Sequence, residues 1–184
     1  MVSNMVKYKN IEMANGKPIS TQGLCGIFAM SLVVNKPVQT VFNKYKKVKM
    51  YDDNWKGRTY PTHYKYFLEK HYGRKVKVLI QKENSYSEQI GKKMTLKKFI
   101  DEYTGRNRSY IISYYGHTMF IHNKVCYDQA GKKPYDEIGN RSSIDLESYW
   151  TGNTYKHYYG GQRNGIVTYA IEITNSLFKP SRVE

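Results

Sequence analysis

The pattern of apolar and polar residues predicts helices in the first part of the chain. Apolar side chains run almost without interruption from Leu24 to Val34, which is typical of a helix buried on every side. Asn35-Lys36-Pro37 ends this helix, because a proline disfavours helical geometry in the residue before it. Helical spacing or helix-boundary residues predict three more helices, namely Val38–Met50, a helix that begins at Thr59-Tyr60-Pro61 and runs to Tyr72, and Leu96–Tyr103.

Short runs of β-branched and aromatic residues predict strands, most of them in the second half of the chain. These strands are Val76–Ile80, Tyr110–Tyr115, His117–His122, Val125–Gln129 and Ile166–Ile173. The region from Tyr149 to Gly165 is too irregular to assign. Because helices come first and antiparallel strands follow, we predict an α+β fold, and the length of the chain suits a single domain over residues 1–184.

Cys25 lies at the start of the first predicted helix, where a thiol has an unusual environment. Ser20 and Thr21 precede it as favourable N-cap residues. The unpaired backbone N–H groups of a first helical turn and the positive end of the helix dipole favour the thiolate, which is the nucleophilic form of cysteine. A lone cysteine in an apolar segment is more often a small core residue. A catalytic role therefore requires a base and a group that orients the base.

The predicted strands supply both groups if Asn123-Lys124 is a two-residue turn. Such a turn pairs the flanking strands as His122–Val125, Ile121–Cys126, Phe120–Tyr127 and Met119–Asp128. Residues paired across a ladder share a face, as do residues two apart, so His117 and Asp128 lie on one face and His122 on the other. Diagonal neighbours have β-carbons roughly 7–8 Å apart, which a hydrogen bond between the two side chains can span. We therefore predict that His117 deprotonates Cys25 and that Asp128 orients His117.

The positive charge of the chain is large and concentrated in its middle. The formal net charge is +15, and the segment from Lys36 to Arg108 contains 19 basic and 7 acidic residues. Such a surface suits an anionic partner, of which an acidic protein or peptide substrate is our first expectation and nucleic acid or an anionic cell-envelope polymer the alternatives. A basic surface is equally typical of a solvated, soluble face.

Several features bear on location and cofactors. The N-terminus lacks the continuous apolar segment of a signal peptide, and no apolar run reaches the length of a membrane span. A chain of this size needs no disulfide, so we expect Cys25 and Cys126 to stay reduced in the cytoplasm, or in the host cytoplasm if a phage encodes the protein. No cysteine pair has the spacing of metal ligands, so neither a metal nor another cofactor is predicted. The oligomeric state stays open.

Three short motifs carry the candidate residues. They are Gln22-Gly23-Leu24-Cys25 at the first helix, Gly116-His117-Thr118-Met119-Phe120-Ile121 on one strand, and Val125-Cys126-Tyr127-Asp128 on its partner. In type and order they resemble the papain-like cysteine peptidases in their compact phage and bacterial forms. The resemblance implies a papain-like fold, with the nucleophile helix packed on a C-terminal antiparallel sheet. It also implies hydrolysis of a peptide, isopeptide or amide bond through a thioester, with Cys25, His117 and Asp128 as a triad and Gln22 in the oxyanion hole.

Two positions depart from that family's pattern, and two alternative functions stay open. Gln22 lies closer to the cysteine than the oxyanion-hole glutamine of papain does, and Gly26 occupies the position where an aromatic residue usually follows the cysteine. One alternative is a peptidoglycan amidase of the CHAP type, acting on an anionic cell wall. The other is a basic binding module for nucleic acid or an acidic protein, in which the thiol site is vestigial.

Overall fold

The computed structural model describes residues 24–81, 94–114, 117–128, 131–134 and 166–179. The helices in these ranges are α1 (Cys25–Val34), α2 (Val38–Val48), α3 (Tyr64–Tyr72), which follows a short 3₁₀-helix at Pro61–His63, and α4 (Leu96–Tyr103). The strands are β1 (Val76–Ile80), β2 (Ser109–Tyr114), β3 (His117–His122), β4 (Val125–Asp128), β5 (Gly131–Pro134) and β6 (Val167–Ile173). This combination of helices and an antiparallel sheet confirms the predicted α+β class.

These six strands form one sheet in the order β1-β6-β2-β3-β4-β5, and every neighbouring pair is antiparallel. The sequence pattern did not predict β5, since Gly131–Pro134 has no apolar alternation. This strand is formed by backbone pairing with β4 at the end of the sheet order. Lysine and proline are both typical of edge strands, because they discourage pairing with a further strand.

The hairpin between β3 and β4 has the predicted two-residue turn. Asn123 and Lys124 both have positive φ, of 49° and 61°, as a type I′ turn requires. The observed partners are Phe120–Tyr127, Ile121–Cys126 and His122–Val125. The structure therefore confirms the predicted register for three of its four pairs.

The sheet carries helices on both faces. One face packs against α1, α2 and α3 and includes Ile111 and Phe120. The opposite face packs against α4 and includes Ile112, Met119 and Cys126. Neighbouring residues of a strand alternate between these two cores, as the pleat of a strand requires. Helix α1 thus packs on β3 and β4 from the Phe120 face.

Helix α1 begins without a side-chain cap. Its N-cap residue is Leu24, and not Ser20 or Thr21 as predicted; both of these residues lie outside the described part of the chain. Gly26–Val34 are all buried, which confirms that the apolar run is a helix enclosed on every side. The helix ends at Asn35, whose left-handed conformation lets its backbone N–H reach carbonyls of the last turn.

The length and composition of the helices bear on membrane insertion. Across the part of the chain that the structure describes, no single helix is both long enough and apolar enough to cross a membrane. Helices α1 and α2 taken together reach the necessary length and composition, but their axes are bent by 110° at the break between them.

The segment between α2 and the 3₁₀-helix is fixed against the start of α1 by an aromatic stack around Trp55. The Trp55 ring stacks on three others, at centroid separations of 4.8 Å (Phe42), 5.6 Å (Tyr45) and 4.8 Å (Tyr51). Its indole N–H donates to the Arg58 carbonyl at 2.9 Å. Between these two residues, Gly57 has a φ of +93° and lies directly against the Leu24 side chain. The loop therefore forms a wall beside the N-terminus of α1.

We expect Gly57→Ala to lower the free energy of unfolding by about 2–4 kcal/mol, because the new methyl group would overlap Leu24 and the residue would keep a positive φ. Gly73→Ala is the matched control, since Gly73 also has a positive φ of 62° but an added β-carbon meets nothing within 4 Å. Its cost should be about 1–2 kcal/mol, from backbone strain alone. Urea denaturation measures both values, and equal losses would show that the contact with Leu24 is unimportant.

Candidate active site

The first residue of α1 meets the first residue of β3. Cys25 is partly exposed, whereas His117 is buried. The His117 imidazole and the Cys25 thiol form a side-chain hydrogen bond. A nucleophile and a base within hydrogen-bond reach are what covalent catalysis by a thiol requires. The structure thus brings together two of the predicted site residues, which lie far apart in the sequence.

Thr118, the next residue of β3, also contacts the sulfur of Cys25. Both its backbone N–H and its hydroxyl group form hydrogen bonds with that sulfur. Thr118 belongs to the face that carries α1 to α3, because its hydroxyl also contacts Tyr64 of α3. Strand alternation puts His117 on the opposite face. Two consecutive residues can contact one atom only because the sulfur lies at the end of β3, where both faces are within reach.

The pKa of the Cys25 thiol reflects opposing effects. Burial raises the pKa, because it removes water from the thiolate. The hydrogen bond and positive charge of His117 act in the other direction, as do the backbone N–H and hydroxyl of Thr118. The net result is a pKa below the ordinary value for cysteine. The folded protein therefore stabilises the thiolate relative to that of an ordinary cysteine.

Gly26 follows the candidate nucleophile in the chain, and its missing side chain leaves room for two hydroxyl groups. A β-carbon at this position would overlap the hydroxyl oxygens of both Thr59 and Tyr64. These two hydroxyls are hydrogen-bonded to each other at 2.8 Å. An aromatic side chain, as usually found here in the papain-like pattern, has no space in this structure. Crowding by Thr59 and Tyr64 thus explains why glycine, and not the aromatic residue of the papain-like pattern, follows Cys25.

Sequence reasoning missed two residues that lie near the thiol. Tyr64 lies within the helix predicted to run to Tyr72, without a role of its own, and it is 1 % exposed. Thr118 belongs to one of the three motifs, but no role is predicted for it from the sequence. The sequence does contain a clue to Thr118, because it directly follows the predicted base His117. Strand alternation therefore directs the Thr118 side chain toward the opposite face of the sheet from His117, where α1 to α3 pack.

The remaining candidates differ in how far the structure describes them. Gln22 and the side chain of Asp128 lie outside the described residues, and the backbone of Asp128 ends β4. His122 lies at the opposite end of β3 from His117. Its Nδ1 is 3.2 Å from the Ser109 hydroxyl, and its ring is 5.0 Å from that of Phe178. His122 is therefore separated from Cys25 by the length of the strand.

Comparisons of the chain with protein-family models, with curated proteins and with solved structures find no match. Among the described residues, no group of three or more His, Cys, Asp or Glu side chains is arranged to hold a metal ion. What the described site contains is a thiol, an imidazole and neutral hydrogen-bond donors.

We expect iodoacetamide to modify Cys25 at least roughly tenfold faster than Cys126 near neutral pH, because the thiolate is the reactive form. Cys126 is 3 % exposed and lies in the core beneath α4. Since the pKa of Cys25 is lowered, its reactivity should persist to lower pH than that of a cysteine in an unstructured peptide, and fall as pH drops through that pKa. Peptide mapping after brief labelling measures both thiols, and preferential modification of Cys126 would contradict this expectation.

Proposed function

We propose that the protein is a papain-like cysteine peptidase or a related thiol hydrolase, which cleaves a peptide, isopeptide or amide bond through a thioester. The observation that carries this proposal is the hydrogen bond between Cys25, the first residue of a buried helix, and His117, the first residue of a strand. A structural cysteine needs neither a base nor a lowered pKa. Both features are typical of a nucleophile.

The reaction follows from this pair. His117 takes the proton of the Cys25 thiol, and the sulfur attacks the carbonyl carbon of the scissile bond. His117 then gives the proton to the leaving nitrogen, which departs as an amine, while the acyl group stays on sulfur as a thioester. A water molecule, deprotonated by His117, attacks the thioester and releases the acid. In this proposal Asp128 orients His117, and Gln22 donates to the oxyanion.

Two features of the fold support a papain-like arrangement. Helix α1 packs on an antiparallel sheet, with the candidate nucleophile at its N-terminus. The nucleophile precedes the base in the chain, and the base lies on a strand whose hairpin partner ends with a carboxylate residue. That order, and the position of each residue on its element, agree with the papain-like pattern that the motifs resemble.

We further propose that the substrate is an acidic protein or peptide. Thr59 packs against Gly26, the residue after Cys25, and Arg58 and Tyr60 are the chain neighbours of Thr59. Both are exposed, and the Arg58 guanidinium lies 5.9 Å from the centre of the Tyr60 ring. Among the described residues Arg58 forms no ion pair with a carboxylate. A guanidinium group beside an exposed aromatic ring is suited to a peptide that carries carboxylates.

The proposed function predicts a ranked loss of activity on internally quenched acidic peptides. His117→Ala should lower kcat by roughly a thousandfold or more, because it removes the base. Asp128→Asn should cost less, because an amide can also hold the imidazole. His122→Ala is the control and should leave kcat nearly unchanged. Mass spectrometry of stopped reactions should detect an acyl group on Cys25.

Other outcomes would favour the alternatives. Turnover retained by Cys25→Ala would refute thiol catalysis. Release of fragments from peptidoglycan, with no cleavage of peptides, would indicate an amidase of the CHAP type. Binding of nucleic acid or an acidic protein that is the same in Cys25→Ala as in the parent protein, with no turnover of any substrate, would indicate a binding module.

We expect Arg58→Glu to raise KM for acidic peptides by about tenfold while kcat changes little, because Arg58 contacts the substrate outside the reacting atoms. The effect should shrink as salt is added, since exposed charges are screened. Lys77→Glu is the matched control, because it makes the same charge change on an exposed residue of β1. Equal effects of the two variants would indicate a general effect of net charge.

A further inference from the structure

Four hydroxyl groups form a branched hydrogen-bond chain that converges on Thr118, which in turn contacts the sulfur of Cys25. The Thr59 hydroxyl lies 2.8 Å from that of Tyr64, which lies 3.3 Å from that of Thr118. The Ser113 hydroxyl is 2.9 Å from the same Thr118 oxygen. Tyr64, Thr118 and Ser113 are each at most 3 % exposed. Their hydrogen bonds are therefore made with one another and with the thiol, and not with bulk water.

The number of hydrogens fixes the direction of this chain. Each hydroxyl donates one hydrogen and accepts up to two. An ionised sulfur has no hydrogen and can only accept, so Thr118 donates its hydroxyl hydrogen to the Cys25 thiolate. Having no second hydrogen, Thr118 must accept from both Tyr64 and Ser113. Tyr64 has then used its own hydrogen and accepts from Thr59, so that all four hydroxyl hydrogens point along the chain toward the sulfur.

We propose that these residues form a directed hydroxyl relay, in which Thr118 is a positioning residue that holds Cys25 as the thiolate. The relay rests on the proposed function in that it concerns the same nucleophile, but it acts on the thiol whether or not a substrate is present. Donors in a chain polarise one another, so each hydroxyl strengthens the bond that Thr118 makes to the sulfur. Unlike His117, the relay stabilises the sulfur without carrying a charge or giving up a proton.

The surroundings of the thiol are consistent with a relay of neutral donors. Burial raises the pKa of Tyr64 well above its ordinary value, and the charge on Cys25 raises it further. The phenol therefore stays protonated and can donate a hydrogen bond. Within the described ranges, the titratable groups that face the thiol are His117 from β3 and Tyr64 from α3. Thr118 does not titrate. A change in the titration of Cys25 after Thr118 is replaced therefore reports the loss of a hydrogen-bond donor.

The test measures the rate of iodoacetamide alkylation against pH in a Cys126→Ala background, which leaves one thiol. Thr118→Val keeps the shape of the side chain and the backbone N–H but removes the hydroxyl. We expect it to raise the midpoint of the titration by about one pH unit, so that alkylation below the midpoint falls about tenfold. Thr118→Ser retains a hydroxyl and should restore the parent midpoint. Tyr64→Phe and Ser113→Ala should each lower alkylation by about threefold, because Thr118 still donates to the sulfur.

The result that would overturn the relay is a Thr118→Val protein that is folded but has an unchanged midpoint. A merely structural role for Thr118 would lower the melting temperature and leave the midpoint in place, so thermal unfolding is measured on the same samples. Should Thr118→Val fail to fold, Tyr64→Phe and Ser113→Ala decide the matter: a raised midpoint in either supports the relay, and an unchanged midpoint in both overturns it.

These measurements need no substrate, so the relay and the proposed function can fail separately. A shifted midpoint together with no turnover of any peptide, isopeptide or amide would support the relay and count against a hydrolase. Turnover that requires Cys25 and His117, together with an unchanged midpoint in Thr118→Val, would support the hydrolase and reject the relay.

Discussion

A thiolate that is partly removed from water is stable only if the protein replaces the lost hydrogen bonds, and the candidate site is arranged around this requirement. Burial alone would favour the neutral thiol of Cys25. His117 and Thr118 reverse that preference with one charge-assisted hydrogen bond and two bonds from neutral donors. Because these donors lie on β3 and the sulfur on α1, the reactivity of the thiol depends on how the helix packs on the sheet.

The position of the thiol at the end of a strand solves a geometric problem. Side chains of consecutive strand residues point to opposite faces, so His117 and Thr118 cannot both lie over one helix in the middle of a sheet. At the end of β3 both can reach an atom placed there by the N-terminus of α1. The apolar contacts of α1 with Phe120 and its neighbours on β3 and β4 hold the helix in that position. Core packing thereby sets the geometry of the chemistry.

Two glycines allow the loop after α2 to close against the same helix. Gly26 accommodates Thr59 and Tyr64, and Gly57 accommodates Leu24, at points where any β-carbon would overlap a neighbour. The stack around Trp55 holds the loop in place from the other side. This close approach brings the hydroxyls of Thr59 and Tyr64 against Gly26, the residue after Cys25, while Arg58, the chain neighbour of Thr59, is exposed. The same loop thus contributes a hydroxyl group to the packing around α1 and an exposed guanidinium group to the surface.

The sequence by itself determined the helices, the strands other than β5 and the hairpin, and it made Cys25 and His117 candidates, because these depend on local patterns. The apolar run of α1 and the turn at Asn123-Lys124 predict structure from residues that are close along the chain. The strand β5 and the hydroxyl chain were decided only by tertiary structure. The hydrogen bond between Tyr64 and Thr118 joins residues 54 positions apart, and each of them by itself is consistent with an ordinary core position. No periodicity specifies which buried hydroxyls meet, because that depends on how α3 and β3 are placed by the packing of the whole core.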